Sequence, residues 1–83
     1  MNEQQILQQL QPIFRDVFDN DSLQVGRDDS GETVEGWDSL THINLVTNIE
    51  RAFKIRFGLG ELQELKNVGE MVSLMAVKLE ARG

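Results

Sequence analysis

Between residues 3 and 18 the chain sets Ile6, Leu7, Leu10, Ile13, Phe14, Val17 and Phe18 among glutamines and charged residues. Recurrence at three and four residues predicts an amphipathic helix. Pro12 removes one hydrogen bond without disturbing the rhythm, so the segment reads as one kinked helix or two short ones in the same phase. The pattern then lapses. Residues 19–38, DNDSLQVGRDDSGETVEGWD, hold only Leu23, Val25, Val34 and Trp37 as apolar anchors, which predicts a long loop pinned at a few points. Loops beyond about 15 residues are uncommon and often functional.

Periodicity returns from Ser39 to Phe53. At about 100° per residue, Leu45, Val46, Ile49 and Phe53 gather on one arc, the expected buried stripe. Asp38 stands where an N-cap belongs. Gly58 and Gly60 allow tight turns, and ELQEL, residues 61–65, suits a single short helix. Asn67 is placed to cap a last helix running to about Ala81, with Glu70 at the capping-box position and Val68, Val72, Met75 and Leu79 on one face. Three main helices, one short helix and no convincing strand predict an all-α four-helix bundle with a long loop between helices 1 and 2. With 83 residues, the chain 1–83 is expected to form a single domain.

Charge narrows the partners. Fourteen acids against eight bases give a net charge of -6, which disfavours nucleic acid and favours basic protein surfaces. Cysteine is absent, so there is no disulfide framework, thiolate nucleophile or cysteine metal site, and any thiol chemistry must come from an added group. No segment approaches the roughly 18 consecutive apolar residues of a membrane span. The expectation is a cytoplasmic monomer without membrane insertion.

Two apolar residues of the second helix, Leu40 and Ile43, fall off its buried arc. Their neighbours are Asn44, Thr47, Glu50 and Arg51, and Ser39 sits at the rim in the first turn. Singly, such residues are ordinary surface. Flanking a first-turn serine beside an acidic loop, they are expected to form a docking surface, the alternative being packing against the loop. His42, one turn from Ser39, invites a hydrolase reading, but the surroundings Trp37-Asp38-Ser39-Leu40-Thr41 do not make the G-x-S-x-G nucleophile turn. No orienting acid or oxyanion hole is evident either, so His42 reads as structural and no catalytic residue is expected. Counting an EF-hand from Asp19 puts Leu23 and Gln24 at ligand position 5 and the glycine position, so no metal site is expected. A phosphate-linked group on Ser39, in contrast, would lie beside free backbone N–H groups at the positive end of a helix.

The stretch GWDSLTHINLVTNIERAFKIRF followed by ELKNVGEMV resembles acyl carrier proteins, in which an Asp-Ser-Leu motif carries 4′-phosphopantetheine on the serine. The resemblance covers nearly the whole chain. It implies a four-helix bundle without catalysis of its own, with Ser39 as attachment site and Asp38 and Leu40 completing the motif. It also implies a phosphopantetheinyl transferase as partner, using coenzyme A and magnesium, and further partners that load and transfer acyl groups. Partner enzymes would touch Leu40, Ile43 and Thr47, while the inner end of the buried stripe would shelter part of an acyl chain. Housekeeping fatty-acid carriers show a run of glutamates on this helix, where this chain has Asn44, Glu50 and Arg51. That departure, with Trp37 and THIN around the motif, resembles stand-alone carriers of specialised pathways. An aminoacyl or peptidyl carrier and an unmodified helical adaptor are the alternatives.

Overall fold

The computed structural model describes residues 2–58, 60–61 and 65–81. Three helices organise them: α1 (Glu3–Val17), α2 (Ser39–Phe53) and α3 (Val68–Ala81). Among the described residues there is no strand, only an isolated bridge between Ser30 and Asn67. The short helix expected over 61–65 lies largely outside the described residues.

The periodic positions become the core. Ile6, Leu10 and Phe14 of α1, Leu45 and Ile49 of α2, and Val68, Val72 and Met75 of α3 are fully buried, with Val46 and Phe53 nearly so. α1 packs against both other helices. It stays a single helix through Pro12, whose exposed ring lies away from the core. Its start is fixed by Asn2 and Gln5, each side chain accepting from the other's backbone N–H at 2.8 and 3.0 Å. That reciprocal box satisfies two N–H groups that the first turn leaves unpaired.

The long loop is held by side chains of α1. Gln11 lies inside the join, donating from Nε2 to the Val25 carbonyl and accepting the Val25 N–H at Oε1, both at 2.8 Å. Arg15 Nε donates to the Leu23 carbonyl at 2.7 Å. These bonds seat Val25, while Val34 and Trp37 anchor the loop further on. The loop then crosses the start of α3, where Gly69 N–H donates to the Arg27 carbonyl at 2.8 Å and Val68 N–H to the Asp29 carbonyl at 2.9 Å. A Cβ on Gly69 would stand 3.0 Å from that Arg27 oxygen, so a side chain there would have to push the crossing loop back by a few tenths of an ångström.

α2 is ended by Lys54 in the left-handed conformation (φ 57, ψ 46). After it Ile55 and Phe57 turn inward, alternating with exposed Lys54, Arg56 and Gly58, the period of an extended segment. Asn67 caps α3 as expected, its Oδ1 accepting from Glu70 N–H at 2.7 Å. Glu70, however, reaches past the cap to the Lys66 N–H at 3.0 Å.

Candidate functional site

The site is built on the first turn of α2. Asp38 Oδ1 accepts from Thr41 N–H at 3.0 Å, and Thr41 Oγ1 accepts from Asp38 N–H at 2.7 Å. Thr41 Oγ1 also donates to the Gly36 carbonyl at 2.7 Å. Gly36 has φ +87, a conformation that strains side-chain-bearing residues. The turn before the helix and the helix itself are thus locked to one another by one threonine hydroxyl. Sequence reading found the cap but not Thr41; the spacing Asp-x-x-Thr was the available signal, with threonine in the place usually held by Glu or Gln.

Ser39 follows directly. It is exposed, and among the described residues its hydroxyl has no hydrogen-bond partner. Asp38 beside it is held below the ordinary carboxylate range, chiefly by the Thr41 backbone N–H and then by the Thr41 hydroxyl. The serine is therefore fixed in position by its neighbours without being consumed by them.

Trp37 and His42 back the serine from the core side. The indole packs edge-on against Phe14 at 5.5 Å and stacks with His42 at 6.0 Å between centroids. Its N–H donates to His42 Nδ1 at 3.1 Å. That bond engages Nδ1 and fixes the ring's orientation. The spacing Trp37-x4-His42 carries no pattern from which the bond is read.

A groove of about 520 Å³ opens beside Ser39, lined by Gly31, Trp37, Asp38, His42, Ile43 and Leu65, with Lys66 its cation. Gly31, Leu65 and Lys66 come from elements distant in sequence and had no signal around the motif. The donor set fits a phosphodiester-linked arm: a free hydroxyl at a helix start, an ammonium nearby and a mostly apolar trough.

Leu40 and Ile43 are 69% and 58% exposed, Ile43 at the edge of the groove. Asn44, Thr47 and Arg51 are exposed on the same side. Thr47 Oγ1 donates back to the Ile43 carbonyl at 2.9 Å. Glu50 is half-buried, and its Oε2 accepts from Phe57 N–H at 2.8 Å, fastening the segment after α2.

A helical globule with a free serine opening a capped helix is the architecture of a prosthetic-group carrier, and a family model described as phosphopantetheine attachment site matches residues 8–79. An acyl carrier protein of Guillardia theta is 32% identical over 81 residues, covering 98% of this chain and all of that protein. The solution structure of a holo acyl carrier protein from Geobacter metallireducens superposes with a TM-score of 0.86 at 49% identity, covering 92% of this chain and 87% of that one. The chain belongs to the acyl carrier proteins: a carrier and not an enzyme, whose prosthetic group is covalent 4′-phosphopantetheine.

Proposed function

We infer that Ser39 Oγ is the attachment point and that the protein shuttles acyl groups between enzymes of a specialised pathway in the cytoplasm. The observation that carries the assignment is the exposed, unpartnered hydroxyl of Ser39 on a turn that the Asp38–Thr41 box holds rigid. Once attached, 4′-phosphopantetheine supplies the thiol that this cysteine-free chain lacks, and the thiol carries acyl groups as thioesters. The chain's own part is to present the hydroxyl, to set the phosphodiester near the N-terminus of α2 and Lys66, and to offer Leu40, Ile43 and Thr47 to partner enzymes.

Incubation with coenzyme A and a phosphopantetheinyl transferase should add one 4′-phosphopantetheine mass to the wild type and none to Ser39→Ala. Added mass that persists in the alanine variant would overturn the assignment. Leu40→Glu should slow modification while leaving the circular dichroism spectrum unchanged; a parallel loss of helix would instead make Leu40 part of the core. The specialised role is supported by Asn44, Glu50 and Arg51 on α2 where housekeeping carriers show a run of glutamates. If general fatty-acid enzymes loaded and elongated the holo protein as well as a housekeeping carrier, that role would be wrong.

A further inference from the structure

The acidic net charge hides a segregation. Residues 16–38 hold eight acids against one base, Arg27, whereas residues 39–58 hold one acid, Glu50, against Arg51, Lys54 and Arg56. The three cations converge. With Thr47, Glu50 and Ile55 they line a hollow of about 410 Å³ at the C-terminal end of α2.

The single acid in this hollow is already engaged, since Glu50 Oε2 holds the Phe57 N–H. Among the described residues neither Arg51 nor Arg56 forms an ion pair. Asp16 shares an adjoining hollow with Arg51 but is not within ion-pair distance. Left-handed Lys54 turns the chain back at this point, so that Arg51 on the helix and Arg56 on the extended segment border one concavity. Along α2, the positions of Leu40, Ile43, Thr47 and Arg51 fall within a strip about 80° wide, and about 16 Å of helix separates the first from the last. Apolar contacts near the serine thus grade into a cationic end on one helix face.

We propose that this hollow is a second docking element of the carrier, which receives a pair of carboxylates on the surface of a partner enzyme while Leu40 and Ile43 meet its apolar rim. The inference deepens the carrier reading of the same helix and concerns which partners it accepts. A protein carboxylate pair fits better than a polyanion. Arg51 and Arg56, which share the hollow, match a compact anion, whereas an extended phosphate chain or an anionic bilayer would also reach Asp16, which lines the adjoining hollow with Arg51. The adjoining apolar strip requires an apolar counterpart, which a protein surface supplies. Acidic partners are thereby selected, and an enzyme with only a basic docking patch meets like charge at this end of α2.

The test is a nuclear magnetic resonance titration of the isotope-labelled holo protein with a synthetic helical peptide bearing glutamates on successive turns with leucines between them. Expected are saturable shifts at Thr47, Arg51, Ile55 and Arg56. Affinity should fall about tenfold in Arg51→Glu/Arg56→Glu, less in the paired glutamine variant, and binding should vanish when the peptide's glutamates become lysines. Stronger shifts with heparin, or with vesicles of phosphatidylglycerol and phosphatidylcholine in equal parts, would overturn the carboxylate partner. So would the absence of shifts, or shifts produced by raising the protein's own concentration, which would make a second copy the occupant. Repeating the titration on Ser39→Ala separates the two readings, because the hollow should bind equally well without the prosthetic arm.

Discussion

At the residue scale, Asp38 serves the fold and the site at once. Its carboxylate is an acceptor for the Thr41 N–H, and the bonds that make it a cap are those that depress its pKa. A carboxyl whose folded-state pKa is depressed contributes stability above its unfolded value near 3.9, and that contribution disappears as pH falls through the folded value. Asp38→Asn keeps a capping oxygen but cannot titrate. Thermal midpoints measured from neutral pH down to strong acid should therefore fall more steeply for the wild type than for the variant over that window. Equal slopes would mean that the Thr41 bonds do not favour the ionised form. The same residue bears on the serine: a loosened cap frays the turn that presents Ser39.

At the scale of elements, the Gln11 amide makes the double link between α1 and the long loop, beside the single bond from Arg15 to Leu23. Gln11→Ala removes both bonds to Val25 and leaves a partly buried carbonyl and N–H to find water. A loss of about 1–3 kcal/mol in urea unfolding is expected, together with faster hydrogen exchange at Val25 than at core amides of α2. Unchanged exchange at Val25 would mean that the apolar anchors and the Arg15–Leu23 bond hold the loop without Gln11. Gln11 marks the limit of what the sequence discloses. The buried faces of all three helices follow from apolar spacing, because each helix repeats its own pattern locally; Met71, fully buried beside Val68 and Val72, widens the α3 face beyond the stripe read there. The cap at Asp38 and the outward placement of Leu40 and Ile43 are legible for the same reason, lying in the first two turns of a helix whose phase is fixed. Gly31, Leu65 and Lys66, by contrast, reach the groove by tertiary packing, and Gly69 is favoured because Arg27 crosses close to it. No period records contacts between distant segments.

Across the whole molecule, the -6 charge is a self-repulsion concentrated in the long loop. Raising sodium chloride from about 0.01 to 0.1 M shortens the screening length from about 30 to 10 Å, and the thermal midpoint should rise by roughly 2–5 °C as loop acids are relieved of one another. A fall on adding salt would show attraction between the acidic loop and the cationic end of α2 to be the larger effect. The protein also has an optical property of its own. Its single tryptophan and single histidine are in contact with each other, and both line the groove that opens beside Ser39. Indole fluorescence therefore has one emitter, two residues from the Ser39 hydroxyl proposed to carry the arm, and the imidazole contributes one unambiguous set of ring-proton resonances. Attachment, loading and unloading of the arm can each be followed in real time by these native reporters, without a label on the carrier.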